Sequence, residues 1–244
     1  MSVTIREVAQ EAGVSQATAA RALGGYGYVG AAARRSVLLA GERLGYRPNN
    51  AARTLASGSS GIVGLVVGDI ENVFFAPLAR GLADVVEDFG YTLLVANSDE
   101  DVSRERRAVD SLRTHRVDGI VVAPASNVDG VHLADAHSAG TAVVQVDRVV
   151  SGLKIDSVAS DALAGASVAV QQLIAHGHQR IGIVIDSLKT PLSSMVMRLR
   201  GWRETLAAAG LPNDDSLLSE ADGNKDDGYR ATMNLLSRPH RPSA

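Results

Sequence analysis

Residues 4–23 read TIREVAQEAGVSQATAARAL, and this stretch decides the fold of the N-terminal region. Thr4 and Glu7 have the spacing of a capping box, in which the two residues bond each other's backbone N–H groups at the start of a helix. Gly13 ends that helix, and Ser15 can cap a second one. Two short helices joined by a tight turn that contains glycine are typical of a helix-turn-helix.

The second predicted helix carries side chains suited to reading DNA bases. The N-terminal residues of a recognition helix face base edges in the major groove, and here they are Ser15, Gln16 and Ala17. Thr18 is expected near the DNA backbone, and Arg21 follows one turn further along the same side. Gln can bond adenine and Arg can bond guanine, whereas Ala can contact only an apolar group such as the thymine methyl. The alternative is a plain helical hairpin with a solvated Gln and Arg.

Charge is unevenly distributed along the 244 residues of the chain. Residues 1–60 contain seven Arg and three Glu, which gives a net charge of +4. The remainder contains 17 basic and 24 acidic residues, which gives −7. A basic head on an acidic body favours contact between the head and a polyanion. Solvated arginines are the alternative explanation.

Composition excludes several classes of protein. The chain has no Cys, which rules out disulfides and Cys-based zinc sites or nucleophiles. No apolar run approaches the ~20 residues of a membrane span. The charged start of the chain does not match a secretory signal. We therefore expect a cytoplasmic protein that contacts no membrane and carries no metal or cofactor.

Strands and helices alternate after the linker-like stretch SGSSG at 57–61. Ile62–Val67 is a β-branched apolar run, as expected of a strand buried on both faces of a parallel sheet. This alternation predicts a doubly wound α/β sheet, in which ligands bind beyond the carboxyl ends of the strands. Further strands are predicted at 91–96, 119–123, 141–146, 180–185 and 217–220, and helices at 75–89, 103–115, 131–139, 163–176, 194–209 and 226–236.

From residue 3 to about 236, the sequence resembles the lac repressor (LacI/GalR) family of bacterial transcription regulators. The opening stretch carries the resemblance together with LGYRPN at 44–49, RVDGI at 116–120, GHQRI at 177–181 and RLRGW at 198–202. The resemblance implies a homodimer that binds a pseudo-palindromic operator and responds to a sugar-type effector. It also implies three regions, namely an all-α helix-turn-helix DNA-binding head at 1–48, a hinge helix and linker at 49–61, and a doubly wound α/β core like that of periplasmic binding proteins at 62–244.

The same resemblance implies roles for single residues. Leu55 matches a leucine that wedges into the minor groove and bends the DNA, with Ala52 and Arg53 beside it. Arg198 matches an arginine that holds a sugar-type effector. The other implied contacts are Thr4, Tyr46 and Asn49 for DNA, and Asp69, Phe74, Asp147, Arg148 and Asp161 for the effector. A structural ion pair is the alternative for Asp147 and Arg148.

Family cores continue past the position of Leu236 with further strands and helices. The resemblance therefore implies that the second subdomain of this chain is incomplete, with an open sheet edge and an exposed apolar face. We expect weak or absent effector binding by this chain alone. Ala162 and Asp186-Ser187 stand where the family usually has Asn and Gly-Gly, which makes the effector less predictable.

Two other functions are alternatives to a DNA-binding regulator. A periplasmic sugar-binding transport protein would share the core, but the helical head argues against it. A nucleotide-dependent α/β enzyme would need a phosphate-binding loop. The stretch GYGYVG at 25–30 spells G-x-G-x-x-G, but a predicted helix precedes it where the dinucleotide motif requires a strand. We therefore predict a sequence-specific, effector-responsive DNA-binding repressor and not an enzyme.

Overall fold

The computed structural model describes residues 3–46, 58–186, 192–221 and 225–244. The chain divides into two compact units, Met1–Gly61 and Ile62–Ala244. The predicted hinge helix, with Asn49, Ala52, Arg53 and Leu55, lies outside the described residues.

The described residues of the first unit form three helices: α1 (Ile5–Glu11), α2 (Gln16–Gly24) and α3 (Ala31–Leu44). Their inward faces bury one small apolar core, in which the fully buried residues of α2 are both alanines. The sequence pattern of residues 32–44 predicts that Val37, Leu38 and Leu44 lie on one apolar side of a helix, but Leu38 is 50% exposed. The physical reason is that neighbouring positions on a helix point about 100° apart. The buried residues of this core are Val8, Ala9, Ala19, Ala22, Val37 and Ala40.

A five-stranded parallel sheet with the order β2-β1-β3-β4-β5 organises the second unit. Val66 pairs with Ala96 on one side and with Val122 on the other, so the carboxyl ends of these strands meet at one edge. The predicted α/β class is therefore confirmed. The strands are β1 (Ile62–Val67), β2 (Thr92–Asn97), β3 (Gly119–Val122), β4 (Ala142–Val146) and β5 (Asp156–Val158). The three-residue β5 was not among the strands predicted from sequence, because its residues are all exposed and form no apolar run.

Helices cover both faces of this sheet. Successive residues of β1 point to opposite faces, so Val66 packs in one apolar cluster while Leu65 and Val67 pack in another. The Val66 cluster includes side chains of α5 (Val102–Thr114) and α6 (Val131–Ser138), and the opposite cluster includes Phe75 of α4 (Phe75–Asp88). Burial on both faces explains why β1 is apolar without alternation.

A second, smaller sheet pairs β6 (Ile183–Asp186) in parallel with β7 (Leu218–Ala221). Trp202 is buried in the core of this part and donates a hydrogen bond from Nε1 to the carbonyl of Ile181 at 3.2 Å. The flanking helices are α7 (Ala162–Ala175), α8 (Ser193–Ala208) and α9 (Lys225–Ser237), with one 3-10 turn at Asp215–Leu217.

The helices α7 and α8 approach closely at Gly201. A Cβ atom on Gly201 would lie 2.5 Å from the carbonyl oxygen of Leu163, so only glycine fits there. The chain end lies beside the segment that leads into β6, where the N–H of Ser243 donates to the carbonyl of Arg180 at 2.8 Å. Across the described residues, no helix is long and apolar enough to cross a lipid bilayer.

Candidate functional site

The predicted capping box is present at the start of α1. The N–H of Thr4 donates to Oε2 of Glu7 at 2.7 Å, and the N–H of Glu7 donates to Oγ1 of Thr4 at 3.4 Å. The hydrogen bonds from the backbone and the hydroxyl of Thr4 hold the pKa of the Glu7 carboxyl below its usual range. Thr4, a predicted DNA contact, is exposed but already bonded to Glu7.

Helix α2 presents a polar face opposite its buried one. Ser15 caps the helix by accepting a hydrogen bond from the N–H of Thr18 at 3.1 Å, and the two hydroxyls lie 2.8 Å apart. Gln16, Ala17 and Arg21 are all exposed, whereas the alanines at 19 and 22 are buried. The predicted base-reading residues therefore share one accessible side of this helix.

Arg21 lies against the loop that follows its own helix. Its Nε donates to the carbonyl of Ala17 at 3.2 Å, and its Cδ lies 3.1 Å from where a Cβ atom on Gly27 would stand. Gly25 and Gly27 have φ values of 72° and 68°, which glycine adopts readily. A cavity of about 210 Å³ lies here, lined by Arg21, Ala22, Gly25, Gly27, Tyr28, Val29 and Arg34.

Sequence reasoning missed Tyr28, which is 90% exposed in this loop. Sequence reasoning only excluded a nucleotide-binding motif at residues 25–30. An aromatic residue in the loop directly after a predicted recognition helix was the available signal. Tyr46, a predicted DNA contact, packs against the three-helix core and is half-buried.

The carboxyl edge of the large sheet holds an ion pair between a buried arginine and an exposed glutamate. Nη2 of Arg148 donates to Oε1 of Glu100 at 2.8 Å, and Nη1 bonds the second carboxylate oxygen. The guanidinium also lies 5.9 Å from the centroid of the Phe75 ring. Burial lowers the pKa of Arg148, but the hydrogen bond and charge of Glu100, with the charge of Asp147, raise it above its usual value overall.

Sequence reasoning named Asp147 and Arg148 but missed Glu100 and Phe75. Glu100 follows β2 at the same edge of the sheet, so its position after a strand was the available signal. Phe74, the predicted aromatic, is 47% exposed and contacts the Phe75 ring edge-on. Because Phe75 is the buried one, it and not Phe74 supports the arginine.

The remaining residue predicted near this edge, Asp69, has a local partner. Its Oδ1 accepts a hydrogen bond from the N–H of Glu71 at 2.9 Å in the loop after β1. The structure places Asp69 on the same edge as the ion pair, since both follow strands of one parallel sheet.

Two further predicted effector residues lie in another place. Asp161 caps α7 by accepting a hydrogen bond from the N–H of Ala164 at 2.9 Å. Arg198 on α8 is exposed and makes no hydrogen bond or ion pair with any residue that the structure describes. Both line a cavity of about 540 Å³ between α7, β6 and α8, whose other walls are mostly apolar. The two predicted effector arginines therefore differ: Arg148 is paired, and Arg198 has no polar partner in the described part of the chain.

A buried polar pair holds the loop after β3. Oε1 of Glu105 lies 2.6 Å from Nε2 of His132, and Oε2 accepts a hydrogen bond from the N–H of Ala125 at 2.6 Å. Both side chains are almost fully buried. No sequence motif indicated this pair, because 27 residues separate its members.

Both units match family models. Residues 4–49 match bacterial regulatory proteins of the lacI family, and residues 60–244 match periplasmic binding proteins and the sugar-binding domain of the LacI family. Catabolite control protein A of Priestia megaterium is 37% identical over 244 residues, covering 100% of this chain and 73% of that protein. The transcriptional regulator GalR of Escherichia coli is 33% identical over 235 residues, covering 96% and 68%.

Solved structures agree with these matches. The lac repressor dimer bound to operator and the anti-inducer ONPF has a TM-score of 0.82 at 25% identity, covering 97% of this chain and 70% of that chain. The transcriptional regulator CelR in complex with cellobiose has a TM-score of 0.63 at 29% identity, covering 96% and 70%. These relatives are regulators rather than transport proteins or enzymes, so the predicted function as an effector-responsive DNA-binding repressor is confirmed at the level of the family. The chain belongs to the LacI family of bacterial regulatory proteins.

Proposed function

We propose that α2 reads operator bases through the side chains of Gln16, Ala17 and Arg21. The observation that carries this proposal is the exposure of all three on one side of the helix, opposite the alanines that are buried. The Gln amide can donate to and accept from adenine, and the Arg guanidinium can donate to two acceptors of guanine. The small Ala17 leaves room for a thymine methyl.

Other residues of the head hold the DNA backbone in this proposal. Ser15 and Thr18 lie at the start of α2, where hydroxyl and N–H groups suit phosphate oxygens. Thr4 and Tyr46 are proposed to add contacts from the rest of the head, and Asn49 from the start of the hinge segment. Leu55 is proposed to enter the minor groove, with Ala52 and Arg53 beside it, when two subunits bind the two halves of a pseudo-palindromic operator.

The core is proposed to bind a polyhydroxylated effector between its two parts. Arg198 supports this because it is exposed, has no polar partner among the described residues and lines the cavity of about 540 Å³ together with Asp161. A guanidinium fork with a nearby carboxylate suits hydroxyl-rich ligands. The remaining proposed contacts are Asp69, Phe74, Asp147 and Arg148.

These roles correspond to a division of the chain into a DNA-binding head at 1–48, a hinge segment at 49–61 and an effector-binding and dimerisation core at 62–244. The boundary between the two compact units at residue 61 supports the start of the core. We place the protein in the cytoplasm, associated with the nucleoid when it is bound to DNA. Membership in a family of DNA-binding regulators supports this placement.

Selection of randomised double-stranded DNA on the purified chain tests the proposed readout. We expect a preferred sequence with two-fold symmetry, bound more weakly as salt rises because phosphate contacts release counterions. Arg21→Ala should lose discrimination at one base position per half-site, by about 1–3 kcal/mol. Arg43→Ala, which changes an exposed arginine on α3 paired with Glu11, is the matched control and should keep the preference. An unchanged base preference in Arg21→Ala contradicts the assignment.

A further inference from the structure

Both terminal nitrogens of the Arg148 guanidinium already have hydrogen-bond acceptors. Both terminal nitrogens bond the two oxygens of Glu100, and Nη1 also lies 3.4 Å from the carbonyl oxygen of Pro124. The Arg148 side chain is only 8% exposed, whereas the Glu100 side chain is 36% exposed. Glu100 therefore lies between the arginine and solvent, in the place where an external anion would approach.

The chain is shaped to hold Glu100 there. A Cβ atom on Gly68 would overlap Oε1 and lie 2.7 Å from Oε2 of Glu100, so the missing side chain at position 68 leaves room for the carboxylate in this place. The N–H of Glu100 also donates to the carbonyl of Gly68 at 2.9 Å. Glu100 itself has a φ of 56°, a left-handed conformation that non-glycine residues adopt at a cost.

Further carboxylates surround the same arginine. Oδ2 of Asp147 lies 3.3 Å from Nε of Arg148, an ion-pair distance without hydrogen-bond geometry. The charge of Asp186, at the end of β6, also acts on Arg148. Three negative groups around one guanidinium leave a net negative charge, so a second anion arriving here would be repelled.

We propose that Glu100 is an internal carboxylate ligand of Arg148, so that the effector site rejects an anionic group at this arginine and accepts uncharged, hydroxyl-bearing ligands there. The inference rests on the proposed function only in taking this sheet edge as part of the effector site. Arg148 then joins the loops after β2, β3 and β4 and meets the effector only together with Glu100, whereas Arg198 can contact the effector with an exposed guanidinium.

Acetate tests whether Glu100 occupies an anion site. Glu100→Ala removes the carboxylate that bonds both terminal nitrogens of Arg148. Acetate in its place restores the charge of the unaltered chain and adds none beyond it, so acetate should enter and stabilise the full chain. We expect a rise in the thermal unfolding midpoint with acetate, relative to chloride at equal ionic strength, that the unaltered chain does not show. The apparent acetate affinity should increase by at least about tenfold.

Two control variants isolate the arginine. Glu100→Ala combined with Arg148→Met should lose the response to acetate, because no buried guanidinium remains. Asp84→Ala is the second control, because it removes the partner of Arg80 in an exposed ion pair of 2.9 Å. Acetate should not raise its unfolding midpoint, because a solvated guanidinium binds acetate weakly. If Glu100→Ala does not fold in chloride, recovery of folding in acetate is the expected result. If it folds in neither salt, Glu100→Gly takes its place, because glycine suits the φ of 56° at this position and also removes the carboxylate, and it should show the same response to acetate.

Glucuronate, a hydroxyl-rich carboxylate, tests the selectivity. It should stabilise Glu100→Ala more than the unaltered chain. Equal responses of the two proteins to acetate and glucuronate, or a response that survives Arg148→Met, overturn the proposal. These assays contain neither DNA nor a neutral sugar, so their failure leaves operator binding and the proposed readout to be judged separately.

Discussion

Nε2 of His132 lies 2.6 Å from Oε1 of Glu105 in the interior of the core unit, and the other carboxylate oxygen holds the backbone of Ala125. This pair links α5, α6 and the loop after β3. Nδ1 of His132 has no hydrogen-bond partner among the described residues, so only Nε2 of the imidazole is hydrogen-bonded. Because both groups are buried, each depends on the other for its hydrogen bond.

Glu105→Ala is expected to destabilise the core by about 1–3 kcal/mol, because it leaves a buried N–H and a buried imidazole without their acceptor. Urea unfolding followed by circular dichroism measures the change. Glu204→Ala, which breaks an exposed ion pair with Arg200, is the control and should cost less than about 1 kcal/mol. Equal effects of the two substitutions contradict a special role for the buried pair.

Gly27→Ala is expected to weaken the preference for the operator sequence over its single-base variants, whereas Gly25→Ala should leave that preference unchanged. Both glycines have a positive φ, so each substitution strains the loop by roughly 1–2 kcal/mol. Only the Cβ atom at position 27 would press on Arg21, at 3.1 Å, whereas nothing lies within 4 Å of one at position 25. Binding to the selected operator and to single-base variants distinguishes them, and identical base preferences rule out positioning of Arg21 by this loop.

Gly201→Ala is expected to destabilise the packing of α7 on α8 by about 1–3 kcal/mol, since the new methyl group would overlap the carbonyl of Leu163. Gly228→Ala on α9 is the matched control. A Cβ atom there has open space, so the higher helix propensity of Ala should stabilise the chain by up to about 1 kcal/mol. Thermal unfolding of both variants gives the sign of each change, and a stabilising Gly201→Ala would show that the helices separate easily.

Glu7→Gln is expected to remove part of the acid sensitivity of the head. The pKa of Glu7 is lower in the folded chain than its usual value. Its stabilising effect is therefore complete above the usual pKa and is lost as the pH falls through the lowered folded pKa. Gln can also complete a capping box but does not titrate in this range. As the pH is lowered, the thermal unfolding midpoint of the head should fall less in the variant than in the unaltered chain. Midpoints that fall in parallel would contradict a contribution from Glu7.

The helices and strands of both units, apart from the exposed β5, were predictable because their signals are local. The capping box at Thr4 and Glu7 depends on residues three apart, and its hydrogen bonds are observed. The unbroken apolar run of β1 reflects helices on both faces of the sheet. The exposure of Leu38 was not predicted correctly, since a short apolar run on a helix does not show which neighbour faces inward.

The sequence by itself determined the helix-turn-helix, the α/β alternation and the family, because hydrophobic period, caps and motif spacing are recorded along the chain. Only the tertiary structure decided which charged groups meet. Arg148 and Arg198 both matched the effector hypothesis, yet Glu100, 48 residues away in sequence, binds the first and leaves the second available. Such pairs depend on strand order and loop conformation, which bring distant residues together and which no local pattern encodes.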